Sequence, residues 1–465
     1  MYSVFSDNNN VFICGGTYNN YFDTLAIDTS SYIQYYVNSG DLLIFKFDAA
    51  NEQLLYTTYY GGTGDDAQDK AIIKGDNNFI YVVGITQSDD FPTLNPGGTT
   101  FYQDISNGWQ NGYLLRFAKT NCQRIWGTYF TETINNNNNT YISDIVIDEG
   151  NYIYCTGVTN SPDLPIIGGD IAQGVGAFYD CFLAKFDYSG TLVWSTYVGG
   201  NNTEAGHSIT LFNNALYIMG VTTSTTNNFV QNMAGAYNQN TLRGANDLFI
   251  VSYNITDNTK LWGTYFGGDG DEIPGGNGMG GLLTADNQNM YAVSGLANGT
   301  TTNNLFFVDP GIGNYFDDSQ NGANDILLLK WNTQNQLEWS TLFGGNGNER
   351  VDKITLDNYR IWLSGYTFSS QATFPYLNPN DGSYFNNTST GSGMLAQFTK
   401  NGILQWASKW PSSVVRGVFA DNNWLWACGD MTSSILYTVD PGIPAYFDGA
   451  IATSPDGFLQ NLINA

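Results

Sequence analysis

A seven-bladed β-propeller of four-stranded antiparallel blades is the fold this all-β sequence predicts, on three observations. A strand-like segment ending in glycine recurs seven times, at Gly15, Gly84, Gly157, Gly220, Gly295, Gly365 and Gly429, and spacings of 63–75 residues fill the chain. Each copy carries short apolar runs rich in β-branched and aromatic residues, which suit a pleated surface. No segment repeats its apolar residues at the 3.6-residue period of a helix. Self-similarity at this length marks a repeat architecture, and four short strands per copy fit a propeller blade, whereas a β-helix has much shorter periods. The blades are expected at 1–62, 63–135, 136–200, 201–268, 269–345, 346–412 and 413–465, forming one domain without a linker.

The elements follow in a fixed order. Strands A and B form a hairpin closed by Asp, Asn and Gly, as in AIIKGDNNFIYVVG (71–84), DIVIDEGNYIYCTG (144–157) and ITLFNNALYIMG (209–220). A long loop rich in Pro, Gly and Tyr leads to strand C, as in the runs that begin at Asp41, Asp180, Asp247 and Asp325. A polar turn then leads to strand D, as in TLVWSTYVGG (191–200), KLWGTYFGG (260–268) and LEWSTLFGG (337–345). The aromatic residue three before the glycine (Phe12, Tyr81, Tyr154, Tyr217, Trp362, Trp426) is expected to pack between blades. The strand-C aspartates, Asp456 included, are expected to accept loop hydrogen bonds.

Composition narrows the function. The chain of 465 residues has 16 basic and 42 acidic side chains, a net charge of −26 and one histidine. Nucleic-acid binding draws its free energy from basic residues that release phosphate counterions, so neither nucleic acid nor an anionic membrane is an expected partner. No run of about 18 apolar residues exists to span a bilayer. Met1–Asn10 has neither a charged start nor an apolar run, so no signal peptide is expected there. The five cysteines form no C-x-x-C pair and are odd in number, which argues against a disulfide scaffold or a zinc site.

The motifs combine into a recognisable set: W-S-T-Y-x-G-G, then G-D-D or G-N-E, a hairpin, G-x-T-x-S, F-P, and D-x-F-x-x-K. They stand here as YTTYYGGTGDD (56–66) with GITQSDDFPTLNP (84–96), as WSTYVGG with YDCFLAKF, and as WSTLFGGNGNE with SGYTFSSQATFPYLNP (364–379). Nearly the whole chain resembles the bacterial beta-propeller repeat family SBBP. Unit two ends WGTYFTET without Gly-Gly, unit six ends WASKWPSS, and unit five lacks Gly-x-Thr. The resemblance implies a secreted or cell-surface binding or scaffold module, often part of a longer chain, and it carries no catalytic residues to transfer.

Strand-D anchors number six (Tyr56, Trp126, Trp194, Trp262, Trp339 and Trp406), whereas strands A to C occur seven times. The last blade is therefore expected to lack its outer strand. A flanking segment of a longer polypeptide, or a protein partner, is expected to complete that edge, because an unpaired edge invites strand addition.

The long B–C loops form the expected binding rim. Their aromatic residues Tyr102, Tyr179, Tyr237, Tyr315, Tyr384 and Tyr446 are candidate ligand contacts for a glycan or a protein, although a ring recurring at one repeat position also packs its own loop. Trp109, in a loop peculiar to blade two, breaks the repeat and is the sharper candidate. The D–A turns GGTGDDAQD and GGDGDE hold carboxylates, of which Asp65, Asp66, Asp269 and Asp271 are candidate calcium ligands. Such turns also recur for conformational reasons alone, and no other cofactor is expected. His207 lies near no nucleophile elbow, so serine-hydrolase chemistry has no support. The expected function is non-catalytic binding, with a polysaccharide-acting enzyme built on a carboxylate pair in the central funnel as the alternative.

Overall fold

A computed structural model describes residues 1–465 except 8, 19, 21, 67–70, 135–137, 171–177, 274–281, 297–301, 381–384, 389–391, 411–412, 421–423, 432–455 and 465. It gives the backbone alone at 273, 392, 413, 424, 431 and 456–464. Among the described residues every regular element is a strand. The strands fall into two compact units, one running to Val198 and one starting at Gly199.

The first unit holds three four-stranded antiparallel blades. Blade one is β1 (Ser3–Ser6), β2 (Asn10–Thr17), β3 (Asp41–Asp48) and β4 (Leu54–Tyr60). Blade two is β5 (Ala71–Gly75), β6 (Phe79–Thr86), β7 (Asn111–Ala118) and β8 (Arg124–Phe130). Blade three is β9 (Thr140–Ile147), β10 (Ile153–Thr159), β11 (Asp180–Phe186) and β12 (Leu192–Val198).

The second unit continues the pattern. Blade four is β13 (Glu204–Phe212), β14 (Ala215–Thr222), β15 (Asp247–Asn254) and β16 (Lys260–Phe266). In blade five the inner strand is split into β17 (Glu272–Ile273) and β18 (Leu283–Ala285), followed by β19 (Asn289–Leu296), β20 (Asp325–Asn332) and β21 (Leu337–Phe343). Blade six is β22 (Glu349–Leu356), β23 (Arg360–Thr367), β24 (Ser392–Thr399) and β25 (Leu404–Trp410). A last sheet has three strands, β26 (Ser413–Ala420), β27 (Trp424–Met431) and β28 (Asp456–Asn464). The fold is thus a β-propeller of six full blades with a partial, three-stranded seventh sheet, where a seven-bladed propeller whose last blade lacks its outer strand was expected. Among the described residues no outer strand pairs with β28.

The A–B turns show why the hairpins close. Asp76 Oδ1 accepts the backbone N–H groups of Asn78 and Phe79, and Asp357 Oδ1 accepts those of Tyr359 and Arg360. These are Asx turns, which a short carboxylate side chain makes at little cost. The other oxygen of each turn aspartate holds the recurrent strand-B aromatic. Tyr81 donates to Asp76 at 2.8 Å, Tyr154 to Asp148 at 3.0 Å, and the Trp362 indole to Asp357 at 3.0 Å. The basic residue of the D-x-F-x-x-K motif lies over these rings, with the Arg116 guanidinium 5.7 Å from the Tyr81 centroid and the Lys185 ammonium 5.4 Å from that of Tyr154. All five cysteines are free and buried, and burial pushes the Cys122 and Cys428 thiols up to about 12. They behave as small apolar side chains.

The recurrent glycine has a steric cause. A β-carbon on Gly157, Gly220 or Gly365 would sit 1.8–1.9 Å from the carbonyl oxygen of Tyr141, Ala205 or Arg350, where the inner strand bulges toward strand B. In blade five the register moves this column by one: Leu296 pairs with Asp325, as Thr222 pairs with Asp247, so Ser294 stands where the glycine belongs and Gly295 lies one place on. The inner strand opposite is the split one, whose two parts, β17 and β18, each pair with β19.

Candidate functional site

The loop aromatics have varied surroundings. Tyr237 is wedged against Phe266 and Phe306, with centroids at 5.3 and 5.6 Å, and its hydroxyl donates to Gln239. Tyr315 packs edge-on against Phe343 and Phe398 at 5.7 and 5.9 Å. Tyr179 stacks on Tyr141 and accepts from Asn139, and Tyr102 pairs its hydroxyl with Thr93. Tyr384 and Tyr446 lie outside the described residues. Trp109 differs from all of these: it is 63% exposed, while its backbone N–H donates to the Asn138 carbonyl at 3.0 Å and Gln110 beside it bridges to Asn139.

The four acidic candidates for calcium do not converge in pairs along each turn. Asp65 accepts the Tyr18 hydroxyl at 2.9 Å, whereas Asp66 turns inward and accepts from Gly62 N, Ser88 Oγ and Thr86 Oγ1. Asp269 accepts the Asn304 amide, and Asp271 accepts the backbone N–H groups of Ala245 and Asn246. Among the described residues no group of three or more His, Cys, Asp or Glu side chains is placed to hold a metal ion.

Asp66 belongs to a feature that recurs. In blades two, four and six the acid after Gly-Gly accepts hydroxyls from the Gly-x-Thr-x-Ser segment of its own blade and an N–H from the Gly-Gly of the blade before. In blade six, Glu349 Oε1 accepts Thr367 and Ser369, each at 2.6 Å, and Oε2 accepts Gly345 N at 2.9 Å. In blade four, Glu204 takes Thr222 at 2.5 Å together with Ser224 and the Gly200 N–H. The acid thus clasps one blade to its predecessor. The serine carbonyl holds the same segment to strand D of its own blade, accepting the tyrosine hydroxyl of W-x-T-Y at 2.7 Å for Tyr129 on Ser88 and for Tyr265 on Ser224. Hydrogen bonds to an ionised group contribute about 1.5–3 kcal/mol each when buried.

Opposite the clasp acid stands the aspartate that opens strand C of the preceding blade. Asp41 faces Asp66, Asp247 faces Glu272 and Asp325 faces Glu349, with the first glycine of Gly-Gly between them. A β-carbon on Gly61 would lie 2.4 Å from Asp66 Oδ2 and 2.6 Å from Asp41 Oδ1, so the two oxygens are within about 5 Å of each other. The same holds at Gly267 and Gly344. All six carboxylates are buried, and one oxygen in each pair (Asp41 Oδ1, Glu272 Oε2, Asp325 Oδ1) has no hydrogen-bond partner. Burial, then the opposing acid, pushes Asp41 up to about 7 and Glu272 up to about 9. Burial brings Asp66 to about 6 against its three donors.

Blade two explains itself by the same geometry. Its D strand ends Thr131-Glu132 in place of Gly-Gly. Thr131 stands buried at the place of the first glycine, and strand C there opens with Asn111, which bonds Ser106 and Gly108 within its own loop. Glu132 still accepts Ser161 Oγ at 3.1 Å and the Asn138 amide at 2.7 Å. The sequence reading assigned Asp66 to a metal turn and Asp41 to loop hydrogen bonds separately. The linking signal is that Gly-Gly, the acid four to five residues later and Thr-x-Ser occur together at three of these junctions.

The family profile described as a beta-propeller repeat, SBBP, matches residues 125–165. That stretch carries the variant junction of Trp126, Glu132 and Ser161, in which Glu132 accepts the Ser161 hydroxyl. No curated protein matches the chain. Among solved structures, the chain is similar to a PL25 ulvan lyase at 8% identity, covering 92% of this chain and 88% of that one, with a TM-score of 0.42. It is also similar to the acylaminoacyl peptidase of Pyrococcus horikoshii, at 9% identity, 92% and 49% coverage and a TM-score of 0.41. A third is the phage phi92 endosialidase, at 10% identity, 94% and 62% coverage and a TM-score of 0.38. The chain spans about half the length of the peptidase. The profile match on 125–165, with the same clasp recurring in both units, supports an SBBP-type beta-propeller repeat.

Proposed function

We propose that this chain is a non-catalytic binding and scaffold module, a seven-bladed propeller in full form, placed outside the cell or on a bacterial surface within a larger protein or assembly. The observation that carries this reading is Trp109. A large ring at 63% exposure, on a loop whose backbone is pinned to Asn138 and Asn139, is a rigid anchor that loses little entropy when a ligand covers it. Ile105 in the same loop, 65% exposed, extends the apolar surface. Sugars and protein side chains both stack on such a ring. The outer edge of β28 supports the scaffold part of the proposal, since strand addition by a protein partner or flanking segment would complete the sheet. No cofactor is needed, and chelation should leave the melting temperature unmoved.

The alternative, a polysaccharide-acting enzyme, draws support from the carboxylate pairs, whose separation of about 5 Å suits a nucleophile and an acid. Their burial weighs against it. A glycan array read alongside product analysis tests both: binding by the intact chain, lost in Trp109→Ala and without product release, is the expected result. Release of oligosaccharide would overturn the proposal.

A further inference from the structure

The Asp325–Glu349 pair is asymmetric in its hydrogen bonding, and the asymmetry assigns a proton. Glu349 receives three donors: Thr367 and Ser369 on Oε1 and Gly345 N on Oε2. A carboxyl group that accepts three donors is held as the anion. Asp325, fully buried, accepts Asn321 N on Oδ2 at 2.8 Å, and its Oδ1 has no hydrogen-bond partner among the described residues. That oxygen lies 2.3 Å, and Glu349 Oε2 2.8 Å, from the point a β-carbon on Gly344 would occupy. Two buried carboxylates this close cannot both stay ionised, and the one short of donors takes the proton.

We propose that Asp325 is protonated at neutral pH and donates to Glu349, making the junction between blades five and six a pH-sensitive latch that alkali loosens. The other titratable groups facing the pair are consistent with this order. Asp317 adds negative charge beside Asp325, and Tyr315 faces both acids as a neutral phenol. On the Glu349 side are the Tyr376 phenol and the Lys409 ammonium, which donates to the Ser369 carbonyl at 2.8 Å. Burial, with Glu349 and Asp317, raises the Asp325 carboxyl to about 7. Because the folded value lies above the unfolded one, the stabilisation is complete in acid, declines as pH rises from the ordinary carboxyl range and is lost above about 7.

The test uses the full chain. Thermal melts from pH 5 to pH 9 are compared for wild type and Asp325→Asn, whose amide mimics the protonated donor and whose side chain stands at this position naturally as Asn111 in blade two. The expected result is that Asp325→Asn keeps the acid-side melting temperature and removes roughly 2 °C of the alkaline decline. Infrared difference spectroscopy on wild type alone provides a second readout: a protonated-carboxyl band at pH 6 that titrates away toward pH 9. Equal pH slopes in both proteins, or no such band in wild type, would overturn the proposal. So would a calcium-dependent rise in melting temperature seen in wild type and absent from Asp325→Asn, which would make the pair a cation clamp.

Discussion

The junctions on either side of blade five use the same residue types and place the proton oppositely. Between blades four and five, Asp247 has three donors, Gln239 Nε2 at 2.7 Å and the N–H groups of Arg243 and Gly244 at 3.0 Å, while Glu272 takes only Gly268 N at 3.3 Å and leaves Oε2 bare. Between blades five and six the donors sit on Glu349, and Asp325 is the bare one. The cause lies in blade five, where Leu296 stands opposite Glu272 in the place that Thr367 takes opposite Glu349. The supply of nearby donors, more than the choice between Asp and Glu, decides which carboxyl is acid and which is anion.

The comparison breaks most readily at the glycines. Gly344→Ala would push a methyl group to 2.3 Å from Asp325 Oδ1, and Gly267→Ala one to 2.4 Å from Glu272 Oε2. Each should cost about 3 kcal/mol in chemical denaturation. An unchanged midpoint would mean the acids are not so close. Next in size, Thr367→Val makes the later junction resemble the earlier one by removing a donor from Glu349, with an expected loss of about 1–2 kcal/mol. A neutral result would show that the hydroxyl is dispensable.

Glu272→Gln sharpens the comparison through pH. The folded carboxyl of Glu272, at about 9, lies above its unfolded value of 4.5, so the stability it lends is present in acid and fades as pH rises through that window. The glutamine variant should melt with a flatter pH profile and be at least as stable as wild type at pH 9. A profile that retains the wild-type slope would place the titration elsewhere. The smallest expected effect is that of Trp109→Ala, within about 0.5 kcal/mol of wild type in stability, because the ring is mostly exposed. A larger loss would mean the ring is structural, and the binding proposal would lose its anchor.

Much of the fold could be read from the sequence because the repeat multiplies weak signals. One strand such as Asp325–Asn332 is ambiguous alone, yet its recurrence with W-x-T-Y and Gly-Gly places it at the third position of a blade. Asx turns and the glycine at the bulge are local effects and appear at fixed spacing. What escaped were features set by register. Gly295 looked like the seventh member of its column, and only strand pairing shows that Ser294 occupies it. The clasp escaped too, because Thr367, Ser369 and Asp325 lie 18–24 residues from Glu349 in sequence and meet it only after two blades pack. Exposure was also invisible: Trp109 and Tyr237 are both loop aromatics, and packing alone separates the open ring from the wedged one.

Amide hydrogen exchange at Gly345 and Gly347 tests the clasp most directly, since these N–H groups donate to Glu349 and to Ser369 Oγ, at 2.9 and 2.7 Å, outside any strand ladder. In Glu349→Ala both amides should exchange at least about tenfold faster, while amides in the sheet of blade four keep their protection. Unchanged exchange at Gly345 and Gly347 would contradict the view that these acids join each blade to the next.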